Sequence, residues 1–288
     1  GRQVRQLSDR ELAVDMAAHG LSIFEVERQA GSWHVKKQSS YNRRLTPASR
    51  MELRGPVAGT ARVCTAADPT GRTVLGTFGN CAGGVTPWGT LLSAEENFHT
   101  FFRRTQRGGA EELNHRQFGI NVSSRKSWYR IDERFNVDKH PTEPNRFGWI
   151  VEIDPYDPAC TPKKRTALGR FNHEGAATSL SDDGRLVVYM GDDEPFECLY
   201  KFVSKRAVDL KRQKANRDLL DEGTLYVARF GANGRVKWLP LVYGQGPLTC
   251  ENGFFNQADV LIETRRAAKL LGGTPMDRPE DVEENQVT

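Results

Sequence analysis

A chain of 288 residues that is 38% apolar, 27% charged and 9% aromatic has material for a sizeable core and too much charge for a bilayer interior. Forty-one basic against 37 acidic residues leave a net charge of +4, spread along the chain without the clustered basic and aromatic stripe that a nucleic-acid groove needs. No run reaches the roughly 18 consecutive apolar residues of a membrane span. The five cysteines, Cys64, Cys81, Cys160, Cys198 and Cys250, are odd in number, far apart and without a C-x-x-C pair, which argues against a disulfide framework.

From the N-terminus, Ser8 and Glu11 form a capping-box pattern ahead of Leu12, Val14 and Met16, and Gly20 ends a helix of about three turns. Residues 21–26 and 33–35 then predict a hairpin around 29–32. Further extended runs are predicted at 61–65, 74–78, 90–94, 149–153, 186–190, 199–203, 225–230 and 236–241. Turn sequences such as Asp68-Pro69-Thr70-Gly71, Asp182-Asp183-Gly184 and Ala232-Asn233-Gly234 separate them and read as hairpin tips. With no regular helix between strands, the pattern argues against βαβ units and for an antiparallel sandwich or a propeller; no fixed repeat chooses between them. The segment 103–147, rich in Arg, Asn, Glu and Pro, reads as a long surface insertion, and 201–217 as a solvated basic face. Residues 256–271 return to a helical pattern, capped by Asn256 and stopped by Gly272-Gly273.

Several segments could carry chemistry. Four glycines and a proline surround Cys81 between Gly79 and Thr90, a loop in which a thiolate would serve as nucleophile or metal ligand and a thiol as a structural group. Glu95 and Glu96 are neighbours at the end of a strand, so they point to opposite faces and only one can share a site with Cys81. Asn172-His173-Glu174 fits a strand end at a crowded centre, with His173 as a hydrogen-bonded structural imidazole. Asp192-Asp193-Glu194 suits either a solvated tip or a cluster of oxygen ligands for a hard cation. Arg278 and Glu280 offer a bidentate phosphate grip beside a metal-binding carboxylate, or a surface ion pair. No Walker A, Rossmann, H-E-x-x-H or G-x-S-x-G motif is present. Scattered acids with one loop cysteine match a mixed metal site of oxygen ligands and one sulfur.

The segments Asn80-Cys81-Ala82-Gly83-Gly84, Thr86-Pro87-Trp88-Gly89-Thr90, Glu95-Glu96-Asn97, Glu143 to Trp149, Asn172 to Ala176, Gly191 to Glu194 and Arg278-Pro279-Glu280-Asp281 occur in the order in which they resemble the PhoX-type alkaline phosphatases. The resemblance runs from about residue 12 to about residue 284. It implies an all-β fold, a six-bladed β-propeller with short helical insertions, here one domain over 1–288 and incomplete, because the family's N-terminal Asn-His-Glu strand and C-terminal strands have no counterpart in the chain. It implies release of phosphate from phosphomonoesters at a centre of ferric iron (Fe3+) and calcium (Ca2+) ions bridged by an oxo group. Carried over by motif, Cys81 and Glu174 are iron ligands, Glu280 and Glu96 metal-binding carboxylates, Asp193 a metal-site residue of unassigned role, and Arg278 the catalytic, phosphate-binding cation. The implied partners are small phosphate esters, with no nucleic acid and no membrane span, and the protein is expected to be a monomer in the periplasm or secreted. Two other functions fit a propeller: a non-catalytic calcium- or protein-binding module, and a calcium-dependent, lactonase-like hydrolase.

Overall fold

A computed structural model describes residues 6–120 and 126–285. Short strands dominate, gathered into a six-stranded sheet, a five-stranded sheet and three two-stranded ribbons. The first sheet runs in the order Thr73–Leu75, Arg50–Arg54, Lys163–Arg165, Ile150–Ile153, Leu91–Glu95, Asn80–Val85, and only the Arg50–Arg54 and Lys163–Arg165 pair is parallel. Ile150–Ile153 is buried at every position, as a strand covered on both faces should be. The second sheet is an antiparallel meander of Ala177–Leu180, Arg185–Gly191, Leu199–Ala207, Gly223–Phe230 and Val236–Pro240. Its tips at 182–184 and 232–234 are those expected from the turn residues. Among the described residues no helix is long and apolar enough to cross a membrane.

The two sheets meet edge to edge beside Cys81. Thr178 Oγ1 donates to the Val85 carbonyl at 2.7 Å, and Ala176 N–H donates to the Gly83 carbonyl at 3.3 Å. A Cβ on Gly84 would lie 1.9 Å from the Ala176 oxygen, so only glycine permits this approach.

Several expectations change. Residues 61–65 are not a strand: Ala61–Val63 is a single 3-10 turn. The strands Arg50–Arg54, Asn80–Val85 and Lys163–Arg165 lack the apolar runs by which a strand is recognised, because the first and last are charged and the middle one is glycine-rich. The C-terminal helix is two helices, Gln257–Ile262 and Thr264–Leu271, meeting at Glu263; the Asn256 cap and the left-handed stop at Gly272 are as expected.

The larger difference concerns 103–147, which is exposed along 105–110 but carries core side chains elsewhere among its described residues. Phe118, Trp128, Phe135, Val137 and Phe147 are all buried. Phe78 sits among them, stacked on Phe147 at 4.4 Å and in contact with Trp128 and Phe135 at 5.5 and 5.4 Å. These aromatics come from short helical turns and connecting backbone, and charged side chains serve the main chain there. Arg134 donates to the carbonyls of Leu75 and Pro47, and Arg170 to that of Pro144. Composition counted the charges and missed that a few aromatics decide burial. Trp128→Ala should therefore lower the unfolding free energy by about 3–5 kcal/mol in a denaturant titration, the cost of a core cavity; a surface segment would lose less than 1 kcal/mol.

Candidate metal centre

Cys81 lies not in a loop but in the edge strand Asn80–Val85, at an irregularity. Asn80 pairs with Glu95 and Gly83 with Ser93, so Cys81 and Ala82 together oppose Ala94 alone. A bulge of this kind bends the strand and re-aims the extra side chain. Across from it, strand alternation separates the two neighbouring carboxylates as expected. Glu95 turns inward and is fully buried, accepting from Lys164 Nζ at 2.7 Å, Gly148 N at 2.9 Å and Trp149 N at 3.2 Å. Burial draws the Lys164 ammonium down to about 8, with Glu95 opposing that shift. Glu96 turns the other way, toward Cys81.

Glu174 reaches the same point from the loop before Ala177–Leu180. Its neighbour His173 anchors that loop: it is buried, its N–H donates to the Glu95 carbonyl at 3.2 Å, Nε2 lies 2.9 Å from the Gly169 oxygen, and the ring stacks on Phe171 at 3.7 Å. Burial lowers the imidazole pKa to about 3, so it is neutral and structural, as the sequence suggests. Asp192 is also structural, gripped by Arg265 through bonds of 2.6 and 2.8 Å. Asp193 faces the site. Its backbone N–H donates to the Asn172 carbonyl, and Oδ2 accepts from Arg278 Nη2 at 2.6 Å.

One ligand atom each from Cys81, Glu96 and Glu174 lie within 4.8 Å of one another. The Cys81 thiol donates to Glu174 Oε1 at 3.1 Å. Cys81 keeps an exposed edge, yet partial burial of the sulfur, the bond to Glu174 and the charges of Glu174 and Glu96 push its pKa up to about 12. Burial and the charges of Glu174 and Asp193 raise Glu96 to about 7. Glu174 is raised by burial, and by Asp193, Glu280 and Asp281, against the lowering effect of the thiol. A thiol held this high is no nucleophile at neutral pH. Three acids and a thiol crowded together without a buried cation are self-repelling, and positive charge supplied from outside removes the repulsion.

The residues fit such a charge. Asp193 Oδ1 is buried and accepts from no donor, and Asn172 Oδ1 is likewise unpartnered. A sulfur with several oxygens is a donor set for a transition metal beside a hard cation. Glu280 stands further out: it is exposed, lies 3.3 Å from Arg278 and reaches Glu174 through its charge. Glu194 accepts from Asn172 Nδ2 at 3.3 Å. Sequence reasoning missed Lys164 and Arg265, which position Glu95 and Asp192 from 69 and 73 residues away. No local signal marks either one: Lys164 stands between Lys163 and Arg165 and Arg265 beside Arg266, and only folding selects which partner each cation meets.

The architecture and the site define a mostly-β protein in which a thiol and carboxylates cluster at one point. The family model "Alkaline phosphatase PhoX" matches residues 2–288. Among solved structures the chain is similar to "Pseudomonas fluorescens PhoX in complex with vanadate, a transition state analogue", at 46% identity and a TM-score of 0.93, over 97% of this chain and 50% of that one. No curated protein matches the chain. The chain belongs to the PhoX alkaline phosphatase family. It spans about half the length of the solved relative.

The two neighbouring glutamates should behave oppositely. Glu95→Gln strands a buried ammonium and should cost about 3–5 kcal/mol in unfolding experiments, whereas Glu96→Gln removes repulsion and should leave the thermal midpoint of the metal-stripped chain equal or higher. The pH response follows. With a folded pKa near 7 against an ordinary 4.5, Glu96 holds its proton more tightly when folded, so its contribution to stability is complete below about 4.5 and lost as pH rises through 7. The thermal midpoint of the metal-stripped chain should therefore fall between pH 5 and pH 8, with a smaller fall in Glu96→Gln.

Proposed function

We propose that the chain is the metal-site portion of a phosphatase that releases inorganic phosphate from phosphomonoesters. The observation that carries this reading is the meeting of Cys81, Glu96 and Glu174 within 4.8 Å, next to an arginine held on Asp193. Support comes from family membership and from the relative's complex with vanadate, described as a transition-state analogue. In this reading the two sheets are blades of a six-bladed β-propeller, the chain is one domain acting as a monomer, and the protein works in the periplasm or outside the cell.

Cys81, Glu96, Glu174 and Asp193 are the residues that would hold iron and calcium, with Glu280 at the outer edge. When bound, these ions would supply positive charge against the phosphoryl oxygens and polarise the reacting group. Arg278 binds the phosphate: its side chain is 52% exposed while Asp193 Oδ2 and Glu280 Oε1 steady Nη2. Its backbone φ of +56° is one that non-glycine residues seldom adopt, a strain often found at working side chains. Glu174 accepts the hydrogen bond of the Cys81 thiol, so a proton leaving the sulfur on metal binding would have an acceptor within reach.

Elemental analysis and a phosphate-release assay test this reading. Iron and calcium should both be retained, and Arg278→Ala should raise KM for a phosphomonoester about tenfold or more, the loss of a charge-assisted contact, with metal content unchanged. Cys81→Ser should lose iron while the fold persists. Calcium without iron, together with absence of phosphate release, would overturn the reading in favour of a calcium-binding propeller or a lactonase-like one.

A further inference from the structure

Beside the metal site is a residue whose conformation the fold does not explain. The N–H of Glu197 donates to the Glu194 carbonyl at 3.2 Å, closing a four-residue turn with Pro195 in its second place and Phe196 in its third, at φ +65°. Proline then a positive φ is the type II arrangement, in which glycine is the favoured third residue. Phenylalanine gains nothing from the fold in return, because it is 74% exposed. The chain thus keeps a strained backbone and a bare aromatic ring at one point.

That point is next to the proposed phosphate grip. The turn belongs to a ribbon, Pro195–Glu197 with Met276–Asp277, in which Pro195 pairs with Asp277. One arm leads back to Asp193 and the other directly on to Arg278, and these two close the end of the ribbon with a 2.6 Å bond. Phe196 follows Asp193 by three residues, so their Cα atoms are at most about 11 Å apart, and a phenyl ring can cover much of that distance. Arg278, the residue directly after this ribbon, has φ +56°. Two left-handed residues, one cationic and one aromatic, flank the carboxylate that joins them.

We propose that Phe196 is a specificity-determining residue: its exposed ring is a platform for the organic group of the ester whose phosphate Arg278 holds, and it favours flat apolar groups, aryl esters above all. This rests on the phosphatase reading of the site. A rigid aromatic loses little conformational entropy on contact, and stacking adds about 0.5–1.5 kcal/mol, which converts to roughly 2- to 12-fold in affinity.

The test is binding of phenylphosphonate and methylphosphonate to the metal-replete chain, measured by calorimetry. The expected result is that Phe196→Gly, which relieves the backbone and leaves the thermal midpoint equal or higher, weakens phenylphosphonate about five- to tenfold while changing methylphosphonate less than twofold. Phe196→Tyr should restore the preference. Equal losses for both ligands, or no change for either, would overturn the platform. Failure of the unaltered chain to bind even methylphosphonate would overturn the phosphatase reading itself, and that outcome is separate from a chain that binds both ligands without preference.

Discussion

The buried pair of Glu95 and Lys164 is the constraint on which the site depends. Glu95 has no solvent to stabilise its charge, so it must be met from every side, and the groups that meet it come from separate parts of the chain: the Lys164 ammonium and the amides of Gly148 and Trp149. Its carbonyl also holds the amide of His173. Glu95 thereby fixes its strand against Ile150–Ile153 and Lys163–Arg165 and sets the loop that carries Glu174. Such a pair adds little net stability compared with apolar packing; what it contributes is a unique register, since a one-residue slip would bury Glu96 in its place.

With the register set, the negative side chains are left facing one another. The charges of Glu174 and Asp193 hinder ionisation of Glu96, the charge of Asp193 hinders that of Glu174, and the thiol of Cys81 is kept protonated by its surroundings. The core compensates elsewhere. The aromatic group around Phe78, the Arg265 grip on Asp192 and the Arg62 bonds to Glu111, Asp259 and Glu263 are all satisfied internally. Local conflict at a site framed by consistent packing is the arrangement expected where a bound ion completes the charge balance.

The ribbon beside the site shows a second local conflict. Phe196 and Arg278 each depart from the backbone that their residue type prefers, and neither is compensated by packing, since both are exposed. Their shared neighbour is Asp193, whose second oxygen has no donor. Charge, aromatic surface and an unsatisfied acceptor therefore come together at one end of the ribbon, from two segments 85 residues apart in the chain.

The sequence by itself carried the local physics. The Ser8–Glu11 capping box, the strand runs between Leu186 and Leu241, the Asn256 cap and the opposite facing of Glu95 and Glu96 all depend on residues within a few positions of one another, so spacing and alternation suffice. The motifs around Cys81, Glu174 and Arg278 were also readable as a family resemblance. Tertiary structure alone decided what depends on distant partners. It made the glycine-rich segment around Cys81 an edge strand with a bulge, because Leu91–Glu95 was available to pair with it. It drew Trp128, Phe135 and Phe147 into the core around Phe78, and it gave Lys164 and Arg265 their roles. A lone charge or ring has no meaning along the chain; its energy is set by what folding places beside it and by how much water is removed.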